Sequence, residues 1–266
     1  MTKIIMTNQN PKHPDEHDGI TFEVVEAEQD GDNKKVSRGV YLVPNLFTTA
    51  SMLSAFFSIV ASSEGRFYQA SLAIFISAFL DGMDGRAARM LNAQSPFGEQ
   101  LDSLADCIAF GLAPAVLMYH FALHDLGRIG LACAFVFSAC AAFRLARFNV
   151  QINIVDKKYF IGVASPLAAI LVASSVMVIK DHIGAISQIL AIACAVWTVI
   201  CGLLMVSNVK YYSFKEFDRQ KVPFVALILG VLVMAIVLYD IPVGVLAIGV
   251  IYALSGLWTT FFAKNS

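Results

Sequence analysis

From residue 40 onward the chain alternates between apolar stretches and short polar breaks. Each stretch is close to the ~20 residues a helix needs to cross a hydrocarbon core. They run at 40–62, 67–90, 97–120, 128–148, 162–180, 184–207, 222–239 and 242–262. The pattern predicts an all-α, polytopic transmembrane helical bundle of about eight spans. Glu64-Gly65-Arg66, His124-Asp125, Lys180-Asp181-His182 and Asp240 mark one side of it. Asn92 to Pro96, Asp156-Lys157-Lys158 and Lys210 to Lys221 mark the other. Residues 1–38 lack the pattern: they hold eight acids, five bases, Pro11 and Pro14. They are expected to form a polar, loosely packed tail, with 20–38 a candidate juxtamembrane segment.

Composition excludes an ordinary soluble domain. The 266 residues are 58% hydrophobic and 15% charged, against about 25% charged in typical soluble chains. The net charge of −1 points to no acidic or basic partner, and no nucleic-acid partner is expected. The placement of lysine and arginine says more. An N-terminus in the cytoplasm leaves only Arg66, Arg128 and Lys180 outside, as the positive-inside rule requires. Eight spans would return Lys264 and the C-terminus to the same side. The polar start makes a cleavable secretory leader unexpected. Cys107, Cys133, Cys140, Cys194 and Cys201 are scattered through apolar segments and read as buried free thiols.

Against this background the run Asp81-Gly-Met-Asp84-Gly85-Arg86-Ala87-Ala88-Arg89, followed by Gly98, Asp102 and Asp106, stands out. Ionised groups at membrane depth are costly and persist mainly where they line a polar cavity. Asp81 and Asp84 are spaced i, i+3, and Asp102 and Asp106 i, i+4, so each pair shares one face of its helix. Two such faces turned together form a cage of hard oxygen ligands suited to Mg²⁺ or Mn²⁺. Two ions there could clamp a phosphoryl group during in-line displacement. Gly82, Gly85 and Gly98 clear space for a nucleotide or diphosphate, Ala88 keeps it open one turn on, and Arg86 and Arg89 offer phosphate donors. A structural salt-bridge network would explain one such pair. Four acids interleaved with small residues favour catalysis.

The pattern Asp81-x-x-Asp84-Gly85-x-x-Ala88-Arg89, eight residues, then Gly98-x-x-x-Asp102-x-x-x-Asp106 resembles the signature of the CDP-alcohol phosphatidyltransferases. The resemblance implies a helical membrane enzyme with a six-helix core, typically a homodimer. Such an enzyme moves a phosphatidyl group from a CDP-linked lipid to an alcohol and releases CMP. It implies a core over 39–220 and additional transmembrane helices over 221–266. It makes Asp81, Asp84, Asp102 and Asp106 metal ligands for two ions, with Asp106 also the general base. Gly85, Ala88 and Arg89, with Asp84 and Gly98, become CDP-lipid contacts, joined by Asn45 and Thr48.

The acceptor is addressed by Phe143-Arg144-Leu145-Ala146-Arg147-Phe148-Asn149 at the end of the fourth span. Arg144 and Arg147, i, i+3, can share a face and bind a carboxylate or a phosphate. On spacing alone they can equally well snorkel to lipid headgroups. Together with Pro44-Asn45-Leu46-Phe47-Thr48 and Phe160-Ile161-Gly162-x-x-Ser165-Pro166, this segment is similar to the family members whose acceptor is L-serine. That likeness implies CDP-diacylglycerol and L-serine as substrates, with Arg144, Arg147 and Asn149 holding the serine. The site would face the cytoplasm, with a bacterial inner membrane the expected location.

Other acceptors within the family, such as glycerol 3-phosphate, an inositol phosphate or choline, stay open at this stage. A divalent-cation transporter would bury acids too, but it would show paired broken helices in two related halves, and the motif occurs once. No His-x-Lys-x-x-x-x-Asp pattern exists, which argues for direct attack without a covalent histidine intermediate. His120 and His124, i, i+4, read as interfacial polar residues rather than a metal pair.

Overall fold

The computed structural model describes residues 42–91, 95–151, 159–184, 186–212 and 239–262, together with Met234. The tail at 1–38, most of the turn at 92–94 and nearly all of the expected span at 222–239 lie outside the described residues. What is described is a helical bundle. In chain order it comprises α1 (Leu42–Ser63), α2 (Phe67–Leu91), α3 (Pro96–Asp106), α4 (Ala113–Met118), α5 (Arg128–Gln151), α6 (Ser165–His182), α7 (Gln188–Val206) and α8 (Ile241–Phe262). Five helical stretches are long and apolar enough to cross a membrane: Leu42–Ser63, Pro96–Leu126, Arg128–Val150, Ser165–His182 and Gln188–Val206. This is an integral membrane protein. α2 matches them in length at 25 residues, but its second half carries Asp81, Asp84, Arg86 and Arg89.

Small residues line much of the bundle interior, around a few large buried ones such as Phe110, Phe137, Leu117 and Met118, while many large side chains face outward. Ala55, Ala61, Ala70, Ala73, Ala109, Ala113, Ala168, Ala169 and Ala173 are buried, whereas Leu46, Leu53, Phe56, Phe79, Phe135, Phe143, Ile189 and Val196 are exposed. Lipid tails are as apolar as leucine, so burying large side chains between helices gains little. Close backbone approach and interhelical hydrogen bonds drive association instead.

α1 and α2 show this most clearly. They form an antiparallel hairpin across Gly65, whose φ of 75° closes α1 with bonds from Gly65 N to Ser62 O and from Arg66 N to Ala61 O. One face of α1 then repeats hydroxyls turn by turn. Ser58 donates to Ala70 O at 2.8 Å, Ser54 to Ala73 O at 2.8 Å, and Ser51 meets the Ser77 hydroxyl at 2.8 Å. Each bond contributes about 0.6 kcal/mol in such a setting, and together they fix the register of α2 against α1.

The third span is one continuous helical stretch that twice widens to π geometry. Ala113 N bonds Ile108 O and His124 N bonds Tyr119 O, both five residues back. Pro114 follows the first wide segment; it cannot donate to a carbonyl four residues back, and the ladder widens just before it. The sequence pattern ends this span at residue 120, whereas helical structure continues to Leu126. α5 packs closely on it through Gly111, where a Cβ would lie 3.1 Å from Ala141 Cβ. It packs on α7 through Gly202, where one would lie 3.1 Å from Phe137 Cα.

α6 is the most enclosed span. α8, beyond the expected core, docks on α6 with Gly249 against Leu171, where a Cβ would come within 2.7 Å of Leu171 Cδ2. Two short strands, β1 (Tyr159–Ile161) and β2 (Lys210–Tyr212), pair antiparallel, with Phe160 opposite Tyr211. The hydrophobic pattern did not anticipate them. They shorten α6, expected from 162, to a start at Ser165. All five cysteines are free thiols; Cys140, Cys194 and Cys201 are buried as expected, whereas Cys107 and Cys133 are only half-buried.

Candidate active site

The site lies where α2 ends and α3 begins. Ser95 caps α3: its Oγ accepts from Gly98 N at 3.0 Å, and Pro96 follows in the first turn, where its missing N–H costs nothing. α3 also lies against α1. A Cβ on Gly98 would be 3.2 Å from both Asn45 Oδ1 and Ser95 Oγ. Gly98 therefore has a packing reason of its own, letting α3 start flush against Asn45. Asn45 and Gly98, named separately from the sequence, are neighbours.

The four aspartates converge. Asp81 and Asp84 on α2 lie close enough to Asp102 and Asp106 on α3 for the charges to interact across the two helices. Carboxylate oxygens of Asp81, Asp102 and Asp106 lie within 4.8 Å of one another. Asp84 stands beside this trio and is its most enclosed neighbour, 6% exposed. Among the described residues, no salt bridge engages any of the four; the pairs present are Arg66–Glu64, His124–Asp125 and His182–Asp240.

Two oxygens in this cluster, Asp102 Oδ1 and Asp106 Oδ1, are buried without a hydrogen-bond partner. Buried acceptors are normally satisfied, and four adjacent carboxylates repel. Hard oxygen donors from two helices, converging and unsatisfied, fit a divalent cation such as Mg²⁺ or Mn²⁺. Asp81, Asp102 and Asp106 are placed to hold it, with Asp84 at the edge.

Thr48 was expected to touch nucleotide. It is buried, and its Oγ1 donates to Asp84 Oδ2 at 2.9 Å, with Pro44 O as an alternative acceptor at 3.2 Å. The α1 hydroxyl stripe thus ends by orienting an acid, a role for which spacing offered no signal. Arg89 Nε donates to Gly85 O one turn back at 2.9 Å, and a Cβ on Gly85 would sit 3.8 Å from Arg89 Nη2. Ala88 is half-buried beside them and Arg86 is exposed.

The two arginines of α5 part company. Arg144 Nη1 donates to Ser165 Oγ at 2.7 Å, its Nε is buried without a partner, and its charge interacts with Asp106. Arg147 turns to the end of α7, where Nη2 donates to Asn208 Oδ1 at 2.8 Å and Nη1 reaches Val206 O at 3.4 Å. Asn149 Nδ2 donates to Ser103 Oγ at 3.0 Å on α3. Only Arg144 therefore looks toward the aspartates. Residue types at i, i+3 could not show this, because partners on α6 and α7 decide it. At the opposite end His124 Nδ1 pairs with Asp125 Oδ1 at 2.9 Å, apart from the four acids.

Known proteins bear on this geometry. The family model described as CDP-alcohol phosphatidyltransferase matches residues 41–204, a segment that carries all four aspartates and both arginines. The CDP-diacylglycerol–serine O-phosphatidyltransferase of Helicobacter pylori is 41% identical over 179 residues, covering 66% of this chain and 74% of that relative. The protein of that name from Bacillus subtilis is 36% identical, covering 65% of this chain and 92% of the relative. The one from Methanocaldococcus jannaschii is 35% identical, covering 69% and 80%. The match spans the helices that assemble the carboxylate cage and most of the bundle around them, and on that ground the chain belongs to the CDP-alcohol phosphatidyltransferase family.

Proposed function

We propose that this enzyme transfers the phosphatidyl group of CDP-diacylglycerol to the hydroxyl of L-serine and releases CMP. The observation that carries the reading is the convergence of Asp81, Asp84, Asp102 and Asp106 with two buried, partnerless oxygens. The serine-specific names of the relatives above support the acceptor.

A divalent cation held by Asp81, Asp102 and Asp106 would neutralise the acids and stabilise the charge on the diphosphate and the transferring phosphoryl group. The protein's own groups do the rest. Gly85, Ala88 and Arg89 on α2, with Asn45 and Gly98, form the surface proposed to receive the CDP moiety. Thr48 orients Asp84. Asp106, one turn beyond Asp102 and in the same cluster of carboxylates, accepts the serine hydroxyl proton. As that proton leaves, a bond forms between the serine oxygen and the lipid-linked phosphorus. The bond from that phosphorus to the CMP oxygen breaks, and CMP departs with the electron pair.

Arg144 holds the serine carboxylate within reach of Asp106. With Arg147 occupied at the end of α7, the single available guanidinium suits a monoanionic carboxylate better than a phosphate dianion. Asn149 lines the same end of the bundle. Charge placement supports a cytoplasmic site with both termini on that side of a bacterial inner membrane, eight spans in all, and the family resemblance supports a homodimer.

The test is CMP release from CDP-diacylglycerol by the purified protein with L-serine, glycerol 3-phosphate, inositol phosphate or choline, each with Mg²⁺ or Mn²⁺. Serine-dependent release is expected. Turnover with another alcohol and none with serine would replace the acceptor.

A further inference from the structure

The segment Gly162-Val163-Ala164-Ser165, used by neither the carboxylate cage nor the lipid contacts, is held with unusual firmness. Gly162 has φ +77°, and a Cβ there would lie 2.4 Å from Met205 O, so only glycine fits. Gly162 N donates to Val209 O at 2.9 Å, and Val163 N to Leu204 O at 3.1 Å. Both bonds tie the segment to the end of α7, and Val163 is buried.

Ser165 follows, fully buried at 0% exposure. A serine at a helix start ordinarily caps it. Here Ala164 occupies the cap position without a side-chain bond, which leaves the Ser165 hydroxyl free of that duty. It accepts from Arg144 Nη1 at 2.7 Å instead.

We infer that Ser165 is a positioning residue for acceptor recognition: its anchored hydroxyl aims the Arg144 guanidinium at the serine carboxylate. This rests on the serine-transfer reading above. Two observations point the guanidinium toward a ligand. Its Nε is buried and without a partner, and its charge reaches Asp106, the group proposed to take the acceptor's proton. A neutral hydroxyl can orient an arginine without cancelling its charge, and an anion arriving beside Asp106 then meets a cation already in place. An acid at position 165 would orient Arg144 equally well but neutralise it.

The experiment follows CMP release by the full-length protein while serine and CDP-diacylglycerol are varied separately. Ser165→Ala should raise KM for serine about tenfold, the loss expected for one hydrogen bond to a charged group. KM for CDP-diacylglycerol and kcat at saturating serine should stay within about twofold of the parent. An unchanged serine KM, or equal rises in both KM values, would overturn the assignment.

If Ser165→Ala no longer binds CDP-lipid, Ser165→Asp decides the matter, since it keeps an acceptor for Arg144 and suits a helix N-terminus. It should raise serine KM beyond about tenfold with lipid KM held. An unmoved serine KM there also sinks the idea. A parent enzyme with no serine-dependent CMP release overturns the serine reading and this inference together. A serine-active parent with an unaffected Ser165→Ala removes only the role of Ser165.

Discussion

Replacing Thr48 by valine tests whether the hydroxyl stripe on α1 serves the chemistry or only helix packing. Valine keeps the β-branched shape and deletes the hydroxyl that donates to Asp84 Oδ2 at 2.9 Å. That hydroxyl has a single proton, and the charged acceptor at 2.9 Å should win it over Pro44 O at 3.2 Å. A hydrogen bond to a charged group contributes about 1.5–3 kcal/mol, equivalent to a roughly ten- to hundredfold change in an equilibrium constant. Asp84 and Asp102 interact through their charges, so a freed Asp84 disturbs the oxygen cage itself. The measurement is Mn²⁺ binding by the purified protein, followed by electron paramagnetic resonance, beside the Mn²⁺ dependence of CMP release. Thr48→Val should weaken Mn²⁺ binding at least about tenfold and shift the activity curve by the same factor, while Thr48→Ser restores both. A lower melting temperature with unchanged Mn²⁺ affinity would refute the reasoning and reduce Thr48 to a packing residue.

Asp106→Asn should retain CDP-diacylglycerol binding by calorimetry while transfer falls by about 10²-fold or more, the usual loss on removing a general base; retained turnover would return that role to another group. Asp81→Ala removes one of three oxygens gathered within 4.8 Å. Mn²⁺ binding should fall with activity, and excess Mn²⁺ should restore CMP release only in part. Chelation of divalent ions in the parent protein should abolish CMP release, and Mg²⁺ or Mn²⁺ should restore it. Arg147→Ala should lower thermal stability by about 1–3 kcal/mol, since Asn208 and Val206 O lose their donors. Serine KM should stay near the parent value; a large rise in it would return Arg147 to the acceptor site.

The chemistry was unusually legible in the chain because its ingredients are expensive where they stand. Asp81, Asp84, Asp102 and Asp106 interrupt apolar stretches, and helical periodicity alone puts each pair on one face. Membrane character and the all-helical class followed from the same alternation, since a bilayer leaves the backbone few ways to satisfy its hydrogen bonds. Partnerships between distant segments were not legible. That Thr48 serves Asp84, that Arg144 and Arg147 diverge, that Ser165 aims a guanidinium, and that β1 and β2 pair all depend on contacts across 21 to 61 residues of chain. Local spacing places a side chain on a face of its own helix. Which neighbour meets that face is decided by how the helices pack, and in this bundle glycines such as Gly98, Gly111 and Gly202 set that packing by letting neighbouring elements approach closely.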